Sequence, residues 1–249
     1  MYLTIRALVL RITDYNDRDS LLTVLTGDHG KLTIKARGLR RKSSPLAAAC
    51  QLLAFGEFTL FEYRGMYTIN EASAIELFPG LRRELSKLAL GTYFAQAAES
   101  LSQEDLPNPE LQSLTLNCLY ALSSGKYPES QVKAVYEFRA VCLGGYTPNL
   151  FGCHVCGNPN PDRFDISAGR LECSGCRSTD SDGLRLPLTP GVLNALRYIA
   201  LCEPKRLLSF QAGEQTLTQL SQVTESYLTT QLERGFSTLD YYKTLSIMN

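Results

Sequence analysis

The strongest constraint on the fold is a change of hydrophobic period at Pro79-Gly80. Before it, apolar residues alternate or run in short β-branched stretches. After it, they recur at three- and four-residue steps. A period of two belongs to strands and a period near 3.6 to helices, so one chain carries a β part followed by an α part. Five stretches read as strands: Thr4 to Ile12, Ser20 to Thr26, Lys31 to Arg37, Phe55 to Tyr63 and Tyr67 to Leu77. Gly27-Asp28-His29-Gly30 and Arg64-Gly65 supply hairpin turns. An apolar segment, Leu46 to Leu53, is inserted before the fourth strand. Five short strands with such an insertion fit an OB-type β-barrel over 1–79. The pattern alone also allows an SH3-like barrel.

Residues 80–249 read as a helical domain. Leu81, Leu85, Leu88, Ala89, Thr92 and Ala95 mark its first helix. Leu111, Leu114, Cys118 and Leu122 follow the breaker Pro107-Asn108-Pro109. A third helix carries Val132, Val135, Tyr136, Arg139 and Cys142 and stops at Gly144-Gly145. Helices resume at Thr189-Pro190, a cap followed by proline, with segments expected at about 190–201, 215–234 and 238–247. The fold class is therefore α+β and multidomain.

Between the helices lies a loop-rich module at about 150–182, containing Cys153, Cys156, Cys173 and Cys176. Two C-x2-C pairs separated by a 16-residue spacer have the spacing of a zinc site. Each pair can turn back on one ion, and four thiolates fill a tetrahedron. No position is left for water, so Zn2+ here would be structural. Gly157 and Gly175 stand where such knuckles turn tightly. Disulfides, free thiols or iron are the alternatives. His154 is expected on the surface. Cys50, Cys118, Cys142 and Cys202 read as small buried hydrophobes.

The run KLTIKARGLRRK holds Lys31, Lys35, Arg37, Arg40, Arg41 and Lys42 and no acid. Leu32, Ile34 and Ala36 fall on one strand face, and Lys31, Thr33, Lys35 and Arg37 on the other. On an OB barrel this region is where single strands lie. Six phosphate contacts would give a salt slope of about −4, at about 0.7 each. A solvated face is the plain alternative. Lys+Arg and Asp+Glu each number 25, so nucleic-acid binding has to come from such a local patch. There is no tryptophan, and base stacking would fall to tyrosine or phenylalanine, with Tyr15, Phe58 and Tyr67 as candidates.

The chain contains no P-loop, G-x-G-x-x-G, H-E-x-x-H or G-x-S-x-G, and only two histidines. The reading is a protein that is not an enzyme. No stretch approaches the roughly 18 apolar residues of a membrane span. The opening MYLTIRALVLRITD lacks the features of a signal peptide. A cytoplasmic protein without membrane contact is the expectation.

Several stretches resemble the bacterial RecO family of recombination mediators. They are TDYNDRDSLLTVLTGDHGKLTIKARGLRRKSSPL, FRAVCLGGYTPNLFGCHVCG, GRLECSGC and RGFSTLDYYKTL, in the family's order. The resemblance implies an OB domain followed by a helical domain with a zinc module. It implies binding of single- and double-stranded DNA and annealing of complementary strands without ATP. It implies RecR and the C-terminal tail of single-stranded DNA-binding protein as partners, help in loading RecA, and a nucleoid-associated location. The basic run and the four cysteines are the residues carried over. Arg139, Arg197, Lys205 and Arg206 are helical-domain cations that the resemblance does not assign to the tail. An RNA-binding OB protein, a zinc-containing interaction adaptor and an enzyme with an unrecognised site in the helical domain are the competing readings.

Overall fold

A computed structural model describes residues 2–176 and 183–248. It forms two compact units, 1–126 with 236–249, and 127–235. The first contains β1 (Tyr2–Asp14), β2 (Ser20–Thr26), β3 (Lys31–Ala36), β4 (Phe55–Tyr63) and β5 (Met66–Glu76). These close a barrel in the order β1-β2-β3-β5-β4, with β4 returning to β1. The β3–β5 pair is parallel and all other pairs are antiparallel. A five-stranded barrel of this connectivity is an OB-type barrel and removes every open edge.

The closure depends on β1. Its first half pairs with β4 and its second half with β2, and a register shift lies between Val9 and Arg11. Such an irregularity bends a long strand so that it serves two neighbours. Gly56 on β4 lies where a Cβ would come within 2.7 Å of the Ser73 carbonyl oxygen, so β4 and β5 approach through it.

Ile5, Val9, Val24, Ile34, Phe58 and Leu60 fill the interior. The Leu46–Leu53 insertion is a succession of turns. Leu46, Ala49 and Cys50 join the barrel core from it. Three turn-forming backbone bonds, Ala47 N–H to Ser44 O, Cys50 N–H to Leu46 O and Ala54 N–H to Gln51 O, hold the segment without a continuous helix.

The same unit contains α1 (Leu85–Leu101), α2 (Pro109–Ser124) and α6 (Ser237–Met248). The Asn108 side chain accepts from Leu111 N–H at 3.1 Å, Pro109 opens α2, and Gly125 at φ 66° closes it. α6 returns to this unit, and Phe236 just before it meets the Tyr93 ring edge-on at 5.2 Å.

The second unit holds α3 (Glu129–Leu143), four short strands, α4 (Pro190–Leu201) and α5 (Glu214–Gln231). The strands β6 (Asn149–Cys153), β7 (Arg163–Asp165), β8 (Arg170–Glu172) and β9 (Arg185–Pro187) form a sheet ordered β6-β8-β7-β9. α5 ends three residues before the expected 234. Glu233 takes a left-handed φ of 49°, and the amides of Glu233 and Arg234 bond back to the Thr230 and Thr229 carbonyls. This is a Schellman closure made without glycine. Between α3 and α5, buried Lys133 contacts Glu137 at 2.9 Å and Glu225 at 2.8 Å. Residues 177–182 of the expected cysteine module lie outside the described residues.

Candidate nucleic-acid face and metal centre

The strand β3 alternates as its sequence requires. Leu32, Ile34 and Ala36 are buried, while Thr33 is exposed and Lys31 and Lys35 are half-buried. The six cations of the basic run are not equivalent. Lys31 Nζ donates to the Glu99 carbonyl at 3.2 Å. Lys35 lies 3.3 Å from Asp19 and 4.5 Å from the centre of the Tyr15 ring. Arg40 lies 3.3 Å from Asp14 and donates to the Asn16 carbonyl at 3.0 Å. Arg37, Arg41 and Lys42 are exposed, with no side-chain hydrogen bond or ion pair among the described residues. The structure thus ranks the run: three cations free and three engaged.

Asp19 organises this end of the barrel. Its carboxylate accepts the Gly38 N–H at 2.9 Å and the Asn16 amide at 3.1 Å, in addition to facing Lys35. These donors, the Gly38 N–H foremost, hold its carboxyl down at about 2. The backbone bond from Arg40 N–H to Arg18 O adds a second tie between the β1–β2 and β3–β4 loops. Arg18 is itself exposed and extends the positive surface; its isolation among Asp17 and Asp19 in sequence concealed it.

Of the three aromatic candidates, Tyr15 is exposed beside Lys35. Tyr67 is partly buried against the barrel core. Phe58 is fully buried inside the barrel and is unavailable for stacking. The alternation of β4 decides this, since Gly56, Phe58 and Leu60 point inward.

In the second unit, the end of β6 with the loop after it and the turn after β8 bring four thiols together. Their sulfur atoms all lie within 4.8 Å of one another, and Cys156 Sγ stands 3.8 Å from Cys173 Sγ. A tetrahedral ion with Zn–S bonds near 2.3 Å sets its sulfurs about 3.8 Å apart. A disulfide needs about 2.05 Å. The donor set and spacing therefore suit a four-thiolate ion. Gly157 has φ 74°, as the first knuckle requires. Gly175 has no positive φ, and a Cβ there would meet nothing within 4 Å, so the second knuckle turns without needing glycine.

Amide groups already point at these sulfurs. Cys173 N–H donates to Cys153 Sγ at 3.3 Å, and the Asn158 amide to Cys173 Sγ at 3.3 Å. Burial pushes the Cys153 thiol up, but amides of Cys156, Cys173 and Val155 outweigh it and bring it to about 6. His154 is exposed. Of the remaining cysteines, Cys50 and Cys118 are buried as expected, whereas Cys142 and Cys202 are only partly covered. No helix among the described residues is long and apolar enough to cross a membrane.

The molecule is thus an OB-barrel protein whose second part carries a four-thiol module capable of holding a metal ion. The chain matches the family description "Recombination protein O N terminal" over residues 1–78 and "Recombination protein O C terminal" over residues 82–240. It is 32% identical over 247 residues to "DNA repair protein RecO" of Acetivibrio thermocellus, covering 98% of this chain and 97% of that protein. It is 26% identical over 246 residues to the protein of that name from Alkaliphilus metalliredigens, covering 98% and 99%. For the Bacillus pumilus protein the values are 29% over 228 residues, 91% and 88%. This chain belongs to the RecO family of DNA repair proteins.

Proposed function

We propose that the protein binds single- and double-stranded DNA, anneals complementary strands without ATP, and acts as a recombination mediator. Acting with RecR, it helps load RecA onto DNA coated by single-stranded DNA-binding protein, whose C-terminal tail it recognises. The observation that carries this reading is that Arg37, Arg41 and Lys42 are exposed and have no side-chain partner among the described residues, on a segment tied to the β1–β2 loop of an OB-type barrel, in a chain of this family.

The mechanism follows from charge. Two DNA strands repel through their phosphates. Free guanidinium and ammonium groups neutralise part of that charge, and base pairing then selects the register. Arg40 joins by exchanging the exposed Asp14 carboxylate for a phosphate, and exposed pairs of this kind hold only weakly. Lys35, paired with the largely covered Asp19, adds its charge without leaving that carboxylate. Backbone contacts carry no sequence information, so sequence preference should be small. Zn2+ held by Cys153, Cys156, Cys173 and Cys176 supports the fold and takes no part in annealing.

The test is binding and annealing of labelled complementary oligonucleotides without nucleotide, together with co-purification of RecR and of a tail peptide. Salt-dependent binding with accelerated annealing supports the reading. A folded, zinc-loaded protein that binds no oligonucleotide at low salt overturns it in favour of an interaction adaptor. A strong preference for RNA of matched sequence overturns the choice of DNA.

A further inference from the structure

The outer face of the barrel carries aromatic side chains that its core does not use. Tyr2 on β1 pairs with Phe61 on β4, Phe61 with Thr68 on β5, and Thr68 with Lys35 on β3. Residues directly opposite in a sheet share a face, so this is one rung across four strands. The Tyr2 and Phe61 rings lie 5.4 Å apart with planes at 54°. Tyr63, two residues beyond Phe61, extends the face and pairs with Met66 across the β4–β5 hairpin. Tyr2, Phe61, Tyr63, Met66 and Tyr15 are between 41% and 62% exposed, far more than packing of a barrel needs.

These side chains line a cleft of about 410 Å³. Lys35 and Arg37 also line it, and no acidic residue does. The Arg64 guanidinium lies 5.2 Å from the centre of the Tyr63 ring. A cleft with aromatic walls and a cationic rim suits a chain that is apolar and planar within and anionic without. An unpaired nucleic-acid strand has that chemistry, with flat bases on an anionic backbone. A duplex lacks it, because its bases are stacked on one another and present only edges.

We propose that Tyr2, Phe61 and Tyr63, with Tyr15 opposite, form a base-stacking subsite for single-stranded nucleic acid, and that Lys35 and Arg37 hold the phosphates beside it. This rests on the DNA-binding reading and adds to it a source of affinity that does not depend on charge. The subsite discriminates single strands from duplex, which phosphate contacts alone do not.

The test compares three probes of equal length: a single strand, an abasic deoxyribose-phosphate strand and a duplex. Stacking is worth about 5- to 150-fold per base. The wild-type protein should bind the single strand at least about tenfold more tightly than the abasic strand. Phe61→Ala/Tyr63→Ala should bring the two together, with the salt slope and duplex affinity unchanged, and Phe61→Tyr should retain the difference. Equal wild-type affinity for the base-containing and abasic strands, with a steep salt slope, overturns the stacking subsite and leaves the phosphate reading standing. No binding to any probe overturns both. The wild-type comparison needs no variant to fold.

Discussion

Removing Arg37 and Arg41 together should change how DNA binding responds to salt by an amount the structure sets. A single-strand phosphate contact contributes about 0.7 to the slope of log K against log salt. Arg37, Arg41 and Lys42 have no competing side-chain partner among the described residues and can each take a phosphate. Three such contacts give about −2, and engagement of all six cations gives about −4. Arg37→Gln/Arg41→Gln should therefore lower the slope by about 1.4, whatever the other four do. Arg40→Gln should lower it by less than 0.7, because Arg40 must first leave Asp14 at 3.3 Å and the Asn16 carbonyl at 3.0 Å. Fluorescence anisotropy of a labelled oligonucleotide across a salt series reads both numbers. Exposed substitutions of this kind change stability by no more than about 0.5 kcal/mol, so melting should not move. The ranking is refuted if the double variant keeps the wild-type slope, or if Arg40→Gln alone removes as much as the pair.

The remaining predictions concern stability. Chelation of the metal, or Cys156→Ser, should lower the melting temperature while leaving oligonucleotide affinity intact, as metal analysis with calorimetry and binding will check; DNA affinity lost with the metal would contradict the division of labour. Lys133→Met strands the buried Glu137 carboxylate and should cost about 3–5 kcal/mol at neutral pH by denaturant unfolding. Glu137 is held above its ordinary value, first by burial, and losing Lys133 raises it further. Acidification should then protonate Glu137 in the variant and restore part of the loss, and a deficit that deepens toward low pH would contradict this. Asp19, held at about 2, stabilises the barrel above the ordinary carboxylate range and loses that contribution as pH falls toward 2. The melting difference between wild type and Asp19→Asn should accordingly shrink between about pH 4 and pH 2. Phe58→Ala should destabilise the barrel by about 3–5 kcal/mol, since the ring is fully buried.

Local signals carried much of the architecture. The alternation Leu32, Ile34, Ala36 sets the buried face of β3, and Thr189-Pro190 and Pro109 open their helices where the chain punctuates them. The four cysteines were legible because their spacing encodes the geometry they adopt. What escaped depends on residues distant in sequence. Phe58 and Phe61 look alike in a list of aromatics, and only their parity on β4 puts one inside and the other outside. The pairing of Arg40 with Asp14 and of Lys35 with Asp19 follows from two loops meeting at one end of the barrel. Leu46 to Leu53 is apolar enough for a helix, yet it folds as turns whose apolar side chains enter the barrel. The return of α6 to the first unit has no local signature at all.

The most direct test of the central claim is photo-crosslinking of a single-stranded oligonucleotide to the full chain, followed by mapping of the modified peptides. The account expects adducts within 15–42 and 61–66; those within 61–66 are lost when Phe61 and Tyr63 are replaced by alanine, and both sets are lost when salt displaces the strand. Adducts confined to 127–235, with the barrel unmodified, would contradict it.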